Sequence, residues 1–426
     1  MSERTNHRLA IADRVSLVAA LLTPVFMLHA FVLAEASIGL IGVTFLGRSA
    51  ILREWRWAGH GWFPLAMVWW LWLVVCSLPV PGLGQGGWHS LGEALAVVRY
   101  LVLMAALEHR VLRDPGARRW MAGIITACAA YIALQTLIQF AFGANLFGAH
   151  RWGDGELTGP FTKPRAAAPL SRLLFPALLP PVAALLQTPT LRRRLAAGAL
   201  TAAAVAVVIL IGQRMPLLLT ILGLLVSALF LRQLRAITLA ALLAGAVLLA
   251  ATPIVSPPTF YRLVEKFSSQ MENFPTSPYG LLAARAVAMI EQHPWTGRGY
   301  DGFRDGCADP RYFHGWTWPT NPADNGGGVA GCNIHPHNHY LQAATDAGLP
   351  GLALFSALVL TWLVILGRGL WRDPEPLRVG LFVATLVQQW PIASTSNAFA
   401  IELGGLSFLL LGFGLAVARH GTGDAR

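Results

Sequence analysis

Three histidines alternate through Cys332-Asn333-Ile334-His335-Pro336-His337-Asn338-His339-Tyr340-Leu341-Gln342, immediately ahead of a long apolar run. Imidazole is the side chain that can be neutral near neutral pH and take a proton from a hydroxyl, which general-base catalysis of group transfer requires. Two other roles suit the same residues. His314 or Asp324 could complete a tetrahedral metal site with them, although alternate histidines ahead of a helix are a weak ligand spacing and no second cluster faces them. The histidines could also simply cap a helix at an interface.

Cations form the second concentration. Arg214 lies in Gly212-Gln213-Arg214-Met215-Pro216, a short turn between two apolar stretches, and a guanidinium is a planar fork suited to bidentate phosphate binding. The alternative is that it snorkels to lipid phosphates as an anchor. Arg99 falls in the middle of an apolar stretch and Arg172 near the end of another. Such positions cost about 2.5 to 3.5 kcal/mol unless a partner or a water-filled cavity receives the charge. Each is a candidate site residue, or one half of an internal pair with Glu35, Glu93 or Glu402. Lys163, Arg165 and Arg285 complete the candidate substrate-binding cations, while Arg151, Arg298, Arg304 and Arg311 read as ordinary solvated charges.

These residues need a scaffold, and composition says which kind. The 426-residue chain is 55% hydrophobic and only 12% charged, with a mean hydropathy of +0.54, so it has too few polar side chains to cover a soluble globule and belongs in a bilayer. Roughly 20 apolar residues per span gives about 12 transmembrane helices. The expected fold is an all-α polytopic membrane protein in three blocks. Residues 1–254 hold helices 1–9, residues 255–340 form one large loop with the candidate catalytic histidine at its end, and residues 341–426 hold helices 10–12 and a tail. The first apolar stretch starts after Arg14, runs on to Leu46 and shows no convincing cleavage site, so it reads as retained spans with Glu35 at their junction. Pro180-Pro181 is expected to break the sixth helix, as a packing kink in preference to a break that lines a cavity. Within the loop, Leu281, Leu282, Arg285 and Met289 at helical spacing predict a helix over Ser277 to Gln292.

A net charge of +11 would suggest nucleic acid in a soluble protein. Here the basic residues cluster between apolar segments, as topology determinants do, which argues against nucleic acid. Arg4, Arg8, Arg14, Arg48, Arg110, Arg113, Arg192, Arg193, Arg194, Arg232, Arg368, Arg372 and Arg426 all fall on one side if the N-terminus is cytoplasmic, so both termini are expected there and the large loop outside. Cys76 and Cys128 read as small core residues. Cys307 and Cys332 share the loop, which hints at a disulfide and an oxidising compartment.

His337-Asn338-His339-Tyr340-Leu341-Gln342, followed by Asp346-Ala347-Gly348-Leu349-Pro350-Gly351, resembles the signature of the O-antigen ligase and polymerase superfamily. Upstream, Arg285 to Gly299 looks like the element that precedes that histidine, and Gly212-Gln213-Arg214 resembles the family's arginine-bearing outer turn. The resemblance implies a metal-independent inverting glycosyltransferase, without cofactor, in the inner membrane of a Gram-negative bacterium. It would carry O-antigen from undecaprenyl pyrophosphate to lipid A-core oligosaccharide at a periplasmic active site. His337 matches the essential histidine, and Arg214 and Arg285 the essential arginines. Asp346 stands where the family more often has glutamate. Within the superfamily the rival activities are O-antigen polymerase and protein O-oligosaccharyltransferase. A polymerase would be expected to carry two large outer loops, where this chain has one. From another class, embedded Arg99, Glu93 and Glu402 could belong to a transporter or flippase of lipid-linked glycan, which predicts a two-fold repeat that is not apparent.

Overall fold

The computed structural model describes residues 3–188 and 190–421; Arg426 and the rest of the expected tail lie outside the described residues. Among the described residues the chain forms helices and no named strand, with a single isolated bridge between Ala144 and His150. In order, the principal helices are α1 (Glu3–His29), α2 (Phe31–Leu52), α3 (Phe63–Cys76), α4 (Gly87–Val111), α5 (Pro115–Phe142), α6 (Ala167–Gln187), α7 (Leu191–Ile211), α8 (Arg214–Phe230), α9 (Arg235–Val255), α10 (Pro278–Gln292), α11 (His339–Gly367), α12 (Pro376–Gln388) and α13 (Ile401–His420). Among the described residues nine helices are long and apolar enough to cross a membrane, and α3, α8 and α12 are shorter apolar helices. The protein is an all-α, multi-pass membrane protein.

Two local expectations are corrected. The break between the first two helices falls at Ala30, which leaves helical geometry (φ −137°, ψ 64°), and Glu35 lies inside α2, where it can pair across to α4. Pro180-Pro181 does not end a helix: α6 runs through Pro176, Pro180 and Pro181. Most of its surface is enclosed by neighbouring helices, the setting in which carbonyls freed by proline are tolerated in a membrane.

The segment 256–338 forms a small helical domain at one face of the bundle, here the loop face. Its main helix is α10, started by Ser277, whose hydroxyl accepts from the Gly280 amide, an N-cap that satisfies an otherwise orphaned donor. A second small core of Leu282, Ala286, Met289, Phe303 and Tyr312 sits beneath it. Cys307 and Cys332 are disulfide-bonded, with Cα atoms 5.5 Å apart.

The domain is fastened to α11 where that helix is interrupted. Ala347 and Gly348 leave helical geometry. The amides of Arg298, Gly299 and Leu349 close the joint, onto Thr345 O (2.8 Å), Asp346 O (2.9 Å) and Pro294 O (2.7 Å). Gly348 has φ +68° and lies against the Trp295 carbonyl, which a Cβ would strike, so only glycine meets both demands. The Asp346 carboxylate accepts from the Gly302 amide at 3.2 Å. The acid and glycines of the second motif therefore serve to join the loop domain to the bundle.

Candidate active site

His337 is held by its backbone. Its φ of +56° lies in the left-handed region, which costs a non-glycine residue about 1 to 2 kcal/mol. Its neighbours impose the strain. Asn338 caps α11, accepting from the Tyr340 and Leu341 amides at 2.9 and 3.0 Å, and its own Nδ2 donates to Pro391 O at 2.7 Å. The Thr395 amide donates to the His337 carbonyl at 2.7 Å. The segment linking α12 to α13 thus grips the chain on both sides of the histidine and sets the direction of its ring.

The ring stands against three side chains. Its Nε2 is 3.2 Å from Nδ2 of Asn333, and the Asn333 oxygen is already engaged by the Ile334 amide at 2.7 Å. The Asn333 nitrogen is therefore the donor and Nε2 presents a lone pair. Tyr279, on the first turn of α10, lies edge-on to it. The His335 ring is 4.3 Å away, centre to centre. Burial lowers the His337 pKa from the ordinary imidazole value. The His335 pKa is pushed down to about 3, by burial first and then by His337, Arg304 and His339. Both rings are neutral near neutral pH, the state a proton acceptor needs.

Arg214 starts α8, and its turn is clamped from two distant parts of the chain. Gly212 takes φ +82° to close α7. Arg262 donates from Nε to Gly212 O at 2.9 Å and pairs with Glu156 at 2.6 Å and with Asp154. Glu156, 3% exposed, also accepts from the Gln213 carboxamide. Burial, partly offset by Arg262 and Gln213, raises the Glu156 carboxyl to about 7. The Arg214 guanidinium donates to Gln270 and lies 5.7 Å from the centre of the Phe267 ring. The Tyr279 phenol acts on it electrostatically, while the Tyr279 ring contacts His337.

The other expected cations divide. Lys163 is exposed and Arg165 meets Glu402 at 2.7 Å. They flank Pro164, whose carbonyl receives a 3.4 Å bond from Gln213, so both stand beside the Arg214 turn. Arg99 instead forms a two-pronged pair with Glu35, at 3.0 Å for each contact. Arg172 is buried and donates to Ser407 Oγ and Ala168 O, both at 2.9 Å. Arg285 is 0% exposed. It donates to Gly328 O at 2.9 Å and to Cys307 O, with its guanidinium 4.4 Å from the centre of the Phe313 ring. It binds the loop domain together from within, below the surface that carries His337. The residues invoked to complete a metal site are engaged elsewhere: His314 stacks on Trp318, and Asp324 accepts from Thr317 at 2.9 and 2.6 Å.

Residues 199–356 match the family model described as O-antigen ligase. This match, over somewhat more than a third of the chain, supports a likeness to the O-antigen ligase/polymerase superfamily. A comparison with curated proteins found no match. Members of this superfamily are glycosyltransferase-like enzymes. The matched stretch holds Arg214, Arg285, His337 and the α11 joint, whereas Arg99, Lys163, Arg165 and Arg172 lie before it.

The sequence carries no sign of a role for Tyr279 or Glu156, and although Asn333 stands in the histidine run and Arg262 among the basic residues outside the topology pattern, it assigns neither of them a partner. Tyr279 lies within the helix predicted over Ser277 to Gln292 and Asn333 within the histidine run, but their contacts with the His337 ring depend on the tertiary fold. Glu156 and Arg262 are separated by more than a hundred residues, and no local pattern joins them.

Proposed function

We propose that this protein is an O-antigen ligase. It would transfer O-antigen from undecaprenyl pyrophosphate to lipid A-core oligosaccharide, with inversion and without a metal ion, at the periplasmic face of a Gram-negative inner membrane. Both termini would be cytoplasmic. Residues 1–254 and 341–426 supply the spans, and 255–340 the domain ending in the catalytic histidine.

The observation that carries this is the neutral His337, its Nε2 lone pair fixed by Asn333 and its ring edge-on to Tyr279, whose phenol also acts electrostatically on Arg214. In the reaction, an acceptor hydroxyl displaces Asn333 and gives its proton to Nε2. The oxygen then attacks the anomeric carbon from the face opposite the diphosphate. The carbon–oxygen bond to the diphosphate breaks, and the leaving group departs with the bonding electrons. Arg214, with Lys163 and Arg165 beside its turn, balances the charge that develops there, a role that preorganised cations perform well in a partly desolvated site. Arg285 acts by holding the loop domain in shape, Arg99 is held by Glu35, and Arg172 lies within the bundle. Membrane lipids surround the two lipid-borne partners.

Purified protein supplied with a defined polyprenyl-pyrophosphate glycan and, separately, lipid A-core, a second lipid-linked glycan or a peptide would test this. Glycan gained by lipid A-core alone is the expected result. Extension of the lipid-linked glycan would point to a polymerase, and peptide modification to a protein oligosaccharyltransferase.

A further inference from the structure

At the opposite face, the start of α1, the end of α2 and the wide π-type turn Leu107–Val111 that closes α4 enclose a cavity of about 500 Å³. This size falls in the usual range for small-ligand sites. Alternation of the spans puts this end far from His337, and the last turn of α13 confirms it, since Arg419 pairs with Glu108 of that π-type turn at 2.9 Å.

The lining is unbalanced in charge. Arg14, Arg48, Arg110 and Arg113 line the cavity against Asp13 and Asp114. Asp13 alone serves two of these cations, Arg110 through Nε at 3.0 Å and Arg48 at 3.4 Å. Asp114 is spent on capping α5, where it accepts from the Ala117 amide at 2.9 Å. Arg14 and Arg113 are exposed at the rim. Ser16 and Thr44, bonded to each other at 2.6 Å, supply hydroxyls on the same wall. Topology alone asks only for exposed arginines at a membrane face, as Arg192, Arg193 and Arg194 are at the start of α7. It does not ask for a concavity with excess guanidinium groups converging on it.

We propose that this cavity binds a phosphate-bearing anion, with Arg14 and Arg113 as its free donors and the Asp13-tethered Arg48 and Arg110 forming the back wall. Guanidinium groups match phosphate oxygens in pairs, and basic pockets between membrane helices recognise anionic headgroups in this way. The ligand is either the headgroup of an anionic phospholipid or free phosphate.

Native mass spectrometry of the detergent-solubilised protein with phosphatidylglycerol and with phosphatidylcholine would separate these, alongside 31P NMR titration with inorganic phosphate. Retention of phosphatidylglycerol over phosphatidylcholine by about tenfold, equivalent to about 1.4 kcal/mol, assigns the site to a lipid headgroup. Saturable phosphate binding without lipid preference assigns it to a free anion. Either signal should disappear in Arg14→Gln/Arg113→Gln and persist in the control Arg192→Gln/Arg193→Gln. Equal retention of the two lipids with no phosphate binding, or a signal unchanged in the first variant, overturns the proposal. Both pairs are exposed and outside the core, so each variant should fold, and circular dichroism checks that.

Discussion

The ring of Tyr279 stands edge-on to that of His337, with centres 5.9 Å apart and planes at 86°. Tyr279 comes from α10 and His337 from the strained turn before α11, so this contact ties the orientation of the proposed base to the main helix of the loop domain. An aromatic pair of this kind contributes about 0.5 to 1.5 kcal/mol beyond its buried area. Tyr279→Ala should therefore lower kcat/KM for glycan transfer by up to about tenfold, and Tyr279→Phe should keep most of the activity. Equal losses in the two variants would show that the hydroxyl, and not the ring edge, matters.

The pH profile follows from the burial of His337. Its folded pKa lies below the ordinary 6.5, and the reactive form is the unprotonated one. Activity should therefore hold as pH falls through 6.5 and decline only beneath it. Asn333 donates to Nε2, which favours the neutral ring. Asn333→Ala should raise the His337 pKa and move the acid limb upward. An acid limb that stays in place in this variant would remove Asn333 from the account.

Arg285 and Arg214 should fail in different ways. Truncating Arg285 leaves the Gly328 and Cys307 carbonyls buried without their donor, and a hydrogen bond to a charged group contributes about 1.5 to 3 kcal/mol. Arg285→Ala should lower thermal stability and open the loop domain to protease. Arg214→Ala should leave stability within about 1 kcal/mol while reducing kcat/KM for the donor. Differential scanning fluorimetry beside transfer kinetics separates the two. Stable but inactive Arg285→Ala would give Arg285 a direct role with substrate.

Much of this architecture was legible in the sequence, because a bilayer leaves hydrophobic runs few structural options. The helix over Ser277 to Gln292 was also readable, since the periodicity of Leu281, Leu282, Arg285 and Met289 is local. That same periodicity placed Arg285 on the buried stripe, yet the resemblance drew it toward substrate. Arg99 illustrates the converse: one of its two readings was a pair with Glu35, and only the packing of α2 against α4 could choose it. Pro180-Pro181 misled because proline's local cost says nothing of how enclosed α6 is. The clamp on the Arg214 turn was beyond reach, for Glu156 and Arg262 meet only after α5, α7 and α9 have assembled.

The most direct test of the central claim is glycan transfer to lipid A-core by purified His337→Ala, with defined donor and with melting temperature and helical content measured on the same sample. The account predicts no transfer from a protein that remains folded and inserted. Full transfer by the folded variant would contradict it, because the proposed proton acceptor would then be dispensable.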